Sequence, residues 1–137
     1  MIKVCAYNTD DLEDMSFNKY AKKLEKDDNL EKMKAFLDIN ETYTIFDEKA
    51  VGILGICEYE PGAWYGCIIA SNDFGRNPKY AIKMKWLTKQ LIALHNPKRV
   101  QTISENNPAL NKWHEFIGLR QEAILEDNNV LWSMTWE

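Results

Sequence analysis

Residues 99–119 read RVQTISENNPALNKWHEFIGL. The alternation from Arg99 to Ser104 predicts a strand. Asn107-Pro108 predicts a helix start: the Asn side chain can accept an orphan first-turn N–H, and proline lacks the N–H that the first turn leaves unused. Pro108 to Ile117 then reads as a short amphipathic helix, with Gly118 as its stop. The polar residues Ser104, Glu105, Asn106 and Asn107 thus fall where a strand ends and a helix begins. Ligands in α/β sheets usually sit at such ends.

Working outward, Leu119–Leu125 and Val130–Trp136 predict two final strands around the turn at 126–129. Upstream, Lys79–Leu94 predicts a long helix with Tyr80, Met84, Leu87, Leu91 and Leu94 on one face, ended by His95-Asn96-Pro97. Asn72–Pro78 reads as a loop. Thr42–Phe46, Ala50–Glu58 and Ala63–Ser71 read as strands joined by turns at Asp47-Glu48-Lys49 and Glu60-Pro61-Gly62. Gly52 and Gly55 point to a bulge or a close backbone approach. Ile2–Tyr7 reads as a first strand. Asn8 to Asp11 opens an amphipathic helix over Leu12–Lys26, and Leu30, Met33, Phe36 and Leu37 mark a second. The order β-α-α-β-β-β-α-β-α-β-β predicts an α/β (α+β) fold, one domain over residues 1–137, with a mixed central sheet of about seven strands and helices on both faces.

The chain of 137 residues is 45% hydrophobic, enough for one sizeable core, and its net charge of −4 disfavours a nucleic-acid partner. Lys79, Lys83, Lys85 and Lys89 still suggest one basic helix face. Cys5, Cys57 and Cys67 lie in apolar runs without a CxxC spacing, so reduced, buried thiols are expected, and neither His95 nor His114 supplies metal-ligand spacing. No apolar run approaches the roughly 20 residues that span a bilayer, and MIKVCAYN does not suit a signal peptide, so a cytoplasmic protein without a membrane partner is expected.

The element order resembles that of the GCN5-related N-acetyltransferase (GNAT) superfamily over almost the whole chain. The sharpest local match is the frame Asn107, Leu110, His114 and Gly118-Leu119, followed by the strand from Gln121 to Leu125. A second family feature, a Gln/Arg-x-x-Gly-x-Gly/Ala loop before the long helix, is matched here by Arg76-Asn77-Pro78-Lys79-Tyr80-Ala81, with Lys79 in place of the central Gly. The chain looks like divergent, phage-encoded relatives. The resemblance implies transfer of an acetyl group from acetyl-CoA to a small-molecule or protein amine. It implies that Cys67, Ile68 and Ile69 align the thioester and its pantetheine arm, and that the arm enters a wedge between diverging strands near Ile69 and Ser104. Arg76, Lys79, Tyr80 and Ala81 would meet the diphosphate at the helix start, helped by Lys83. Asn106 and Asn107 are expected to hydrogen-bond pantetheine amides, although a plain helix cap explains Asn107 equally.

Acetyl transfer needs an amine that loses a proton, a polarised carbonyl and a proton for the leaving thiolate. His114 stands in the frame of the family's acidic Tyr, and a half-exposed helix residue is its bland reading. Glu58 and Glu105 are the base candidates, as strand-end carboxylates. Trp64, Tyr65, Trp86 and Trp113 are candidates for an acceptor pocket or for the core. The acidic residues Asp10, Asp11, Glu13 and Asp14 could draw a cationic amine or serve as a solvated helix start. Trp132 and Trp136 could face a partner in a homodimer. The changes at Lys79 and His114 also motivate an alternative, a non-catalytic binding or interaction module with a degenerate CoA site.

Overall fold

The computed structural model describes residues 1–15 and 29–136. Its elements are β1 (Lys3–Ala6), α1 (Thr9–Asp14), α2 (Asn29–Ile39), β2 (Glu41–Asp47), β3 (Lys49–Glu60), β4 (Ala63–Ala70), α3 (Pro78–His95), β5 (Arg99–Glu105), α4 (Pro108–Phe116), β6 (Arg120–Ile124) and β7 (Asn129–Thr135), with a 3₁₀ turn at Phe74–Arg76 before α3. The seven strands form one mixed sheet in the order β1-β2-β3-β4-β5-β7-β6, flanked by helices. Most of the expected helix over Leu12–Lys26 lies outside the described residues. Its described start is Thr9, three positions earlier than expected, because Asn8 is the cap: Asn8 Oδ1 accepts the Asp10 N–H at 3.0 Å.

The chain divides into two compact units. The first comprises Met1–Ile56 and Cys67–Trp86. Its core holds Leu12, Leu37, Ile45, Val51, Ile53 and Met84, all at most 4% exposed. The expected bulge is present but not at the glycines. Ile45 pairs with Gly52 and Phe46 with Ala50, which leaves Val51 as the extra residue of β3. Gly52 and Gly55 instead mark side-chain approach: a Cβ at Gly55 would stand 2.9 Å from Leu37 Cδ2, and one at Gly52 would stand 3.1 Å from both Phe74 and Met84. The turn into β3 is made by Glu48 in the left-handed region, at φ 67°.

The second unit comprises Cys57–Gly66 and Leu87–Glu137. β5 pairs with β7 along its whole length, from Arg99 opposite Thr135 to Glu105 opposite Asn129. Trp132, opposite Thr102, is 1% exposed and is the bulkiest fully buried side chain among the described residues. The expectation that Trp132 faces a partner is therefore corrected: the inward face of β7 carries Val130 and Trp132, while Trp136 is exposed. On α3, Leu91 is buried but Leu94 is 70% exposed, because the helix runs past the core at its last turn. Gly118 stops α4 with φ 102°, a conformation that favours glycine.

β4 and β5 run parallel, and their ladder joins three pairs: Ala63 with Arg99, Trp64 with Val100 and Tyr65 with Gln101. Strand β4 continues to Ala70, so Cys67, Ile68 and Ile69 lie beyond the last of these pairs.

Candidate functional site

The 99–119 stretch folds as its residues dictate. β5 ends at Glu105 and α4 begins at Pro108. Asn107 is the N-cap: its Oδ1 accepts the N–H groups of Ala109 at 2.9 Å and Leu110 at 3.3 Å. Asn106 is drawn into the same junction. It donates to Asn128 Oδ1 at 3.3 Å and accepts from Asn111 Nδ2 at 3.0 Å. Both residues expected to meet pantetheine amides thus have local structural partners. Ser104 Oγ is buried and unpartnered. Glu105 is exposed, as is Glu58, whose carboxylate accepts the Gly62 N–H at 3.2 Å and so shapes the turn after β3. Burial does not set either carboxylate apart from an ordinary surface acid.

His114 is buried, 7% exposed, which corrects the half-exposed reading. Its ring stacks on Trp132, centroids 5.2 Å apart at 19°. Its Nδ1 lies 2.7 Å from the Leu110 carbonyl. A carbonyl only accepts, so Nδ1 carries the hydrogen and Nε2 of the neutral ring keeps its lone pair. Burial holds the His114 pKa below the ordinary histidine value, with the Leu110 bond opposing in part. The spacing Leu110, His114, Ile117 signals this burial, since i, i+4 and i+7 share one helix face.

A depressed histidine pKa means that the unfolded chain binds a proton more readily than the folded one, so stability rises with pH across that window. The contribution is complete above about pH 6.5, the ordinary histidine value, and is lost as pH falls through the lower folded value. Urea titrations between pH 7.5 and 5 should show wild-type stability falling on the acid side, and His114→Phe should flatten that part of the profile.

The start of α3 lies in the first unit. Asn77 precedes Pro78, the same dipeptide that opens α4, and it acts the same way. Asn77 Oδ1 accepts the Lys79 N–H at 3.0 Å, and the Asn77 carbonyl accepts the Tyr80 N–H at 3.0 Å. The Arg76 N–H is spent on the Asp73 carbonyl at 3.0 Å, and Pro78 has no N–H. Two carboxylates are tied here as well. Tyr80 donates its hydroxyl to Asp47 at 2.7 Å, and Lys49 pairs with Asp73 at 2.8 Å. These contacts hold both carboxyls below their usual range and anchor the helix start to the β2–β3 turn. The side chains of Arg76 and Lys79 are exposed, while Tyr80 is buried in its bond to Asp47. A diphosphate at this helix end would need free backbone N–H groups. Those of residues 76, 79 and 80 are engaged and position 78 has none, so these four positions offer a diphosphate no free backbone N–H.

The four lysines of α3 do not share one face. Lys79 and Lys83 are one turn apart, as are Lys85 and Lys89, and the two pairs fall on different sides of the helix. Lys83 Nζ lies 4.1 Å above the Trp86 ring. Cys67 is buried, donates to Met33 Sδ at 3.1 Å and has its thiol pushed up to about 12 by burial, which excludes a thiolate nucleophile near neutral pH. Trp64 lies tilted against His95, ring centroids 4.5 Å apart, and Trp113 against Phe116 at 5.9 Å, so both aromatics have local packing partners.

Asp11 is not solvated. It is 8% exposed, and its Oδ2 accepts both the Asn8 N–H and the Thr44 hydroxyl at 2.8 Å. Nearby, a cleft of about 330 Å³ is lined by Tyr7, Asn8, Asp38, Asn40 and Thr42 among others. The Tyr7 hydroxyl is buried without a partner, and burial, with Asp38, Asp11 and Glu13 behind it, raises its pKa to about 12. No sequence pattern signals this cleft, because its residues meet only through the β1–β2 pairing. The described residues contain no cluster of three or more potential metal ligands, and no helix among them is long and apolar enough to cross a membrane.

No family model and no curated protein matches the chain by sequence. Solved structures do match. An IAA acetyltransferase from Bacillus cereus ATCC 14579 superposes with a TM-score of 0.72 at 10% identity, covering 99% of this chain and 100% of the other. An aminoglycoside 6'-acetyltransferase type Ii gives 0.73 at 12% identity over 97% of this chain and 96% of its own. Mutant forms of the spermidine/spermine N-acetyltransferase SpeG from Vibrio cholerae give 0.68 at 12% identity over 98% and 95%. The chain has the fold of GNAT-family acetyltransferases.

Proposed function

We propose that the chain is an acetyl-CoA-dependent N-acetyltransferase acting on a primary amine. The observation that supports this most is the acetyltransferase fold together with the short β4–β5 ladder, which leaves Cys67, Ile68 and Ile69 outside the paired stretch. Main-chain groups of an extended strand suit the amides of a pantetheine arm, as they suit an added strand. Two of the matching structures are acetyltransferases for amines, one for an aminoglycoside and one for spermidine/spermine, which supports an amine acceptor. His114 is the candidate for proton exchange, through Nε2. As a neutral ring it takes a proton rather than gives one, so the acid role suggested by its place in the family frame is replaced by a base role. Glu58 and Glu105 remain weaker candidates because each is exposed.

The self-capped start of α3 and the buried, stacked His114 favour a second reading, a fold kept as a non-catalytic binding module. Thiol release from acetyl-CoA, followed with a chromogenic disulfide over a panel of polyamines, aminoglycosides and peptide amines, separates the two. The transferase reading expects turnover with at least one amine and a loss of roughly 10²-fold or more in His114→Ala, the usual range for a general base. Binding of acetyl-CoA without release for any amine supports the module.

A further inference from the structure

We infer that this chain recognises its acyl donor through the pantetheine arm alone and takes no backbone grip on the nucleotide diphosphate. The inference rests on the acyl-transfer reading and narrows its donor to a thioester of a pantetheine arm, with or without a nucleotide attached. The start of α3 carries it. Asn77 spends its side chain on the Lys79 N–H and its carbonyl on the Tyr80 N–H, both at 3.0 Å. Arg76 donates its N–H back to Asp73, and Pro78 has none to give. Three of the backbone donors at this helix start are thereby met from within the chain. Lys79 stands where a glycine would let the backbone approach phosphate closely. Exposed Arg76 and Lys79 can attract a diphosphate from solvent, but long mobile side chains in water contribute little and are screened by salt.

Calorimetric competition between CoA and pantetheine, under reducing conditions at physiological salt, tests this. The two ligands are expected to bind within about threefold of each other. Two charge-assisted N–H bonds to the diphosphate would give CoA roughly a hundredfold advantage, and any advantage beyond tenfold overturns the inference while leaving the acyl-transfer reading intact. Binding of neither ligand at millimolar concentration overturns the acyl-transfer reading and the inference with it. A second measurement uses Asn77→Gly/Lys79→Gly, which frees the Lys79 N–H and opens the approach. CoA should then gain about tenfold over pantetheine. An unchanged ratio in the folded variant shows that the self-cap is not what excludes the diphosphate, and overturns the inference.

Discussion

Trp132→Ala is expected to lower stability by about 3–5 kcal/mol, the range for removing a large aromatic from a packed core. The side chain is 1% exposed, and its loss opens a hole against the face of His114. Trp132 Nε1 has no hydrogen-bond partner, so no polar contact is lost with it and the cost is one of packing. Trp132→Phe keeps one aromatic ring but leaves part of the indole volume empty, and should cost about 2 kcal/mol, less than the alanine change. Urea midpoints at pH 7.5 for the two variants check the ratio. Equal costs would mean that the stack on His114 contributes more than the volume does.

The second large effect is expected at the β1–α1 junction. Asp11→Ala removes a shared acceptor from two donors at once, the Asn8 N–H and the Thr44 hydroxyl. Thr44 is fully buried, so its hydroxyl is left without an acceptor. Hydrogen bonds to a carboxylate contribute about 1.5–3 kcal/mol each, and Asp11 accepts two, one of them the reciprocal bond of the capping box with Asn8, so a cost of about 3 kcal/mol or more is expected. Thr44→Val in the same background should recover part of it, because the orphaned hydroxyl is then replaced by a methyl of similar shape. A double-mutant cycle read from chemical unfolding measures the coupling directly.

The elements legible in the sequence are those whose signals are local. Asn107-Pro108 and Gly118 bound α4 to within one residue, and the β-branched runs bound β2, β5 and β7 equally well. Burial is less legible, because alternation along a strand shows that two faces exist but not which one is covered. Nothing in the alternation of the last strand separates Trp132, which is buried, from Trp136, which is exposed. His114 carried a readable signal in its spacing from Leu110 and Ile117, masked by its place in the family frame. The self-cap at Asn77 was also readable. The same Asn-Pro pair marks α4, but at 77–78 it ends a polar stretch that reads as loop. The Asp11–Thr44 bond joins residues 33 positions apart, and nothing near either one signals it.

Backbone amide shifts during a titration with acetyl-CoA, followed by ¹H–¹⁵N NMR, test most directly whether β4 receives an acyl thioester and the α3 start does not. The expected result is saturable movement of the Cys67, Ile68 and Ile69 amides with those of Lys79 and Tyr80 unmoved. Movement confined to Lys79 and Tyr80, or no movement at any of the five, would contradict it.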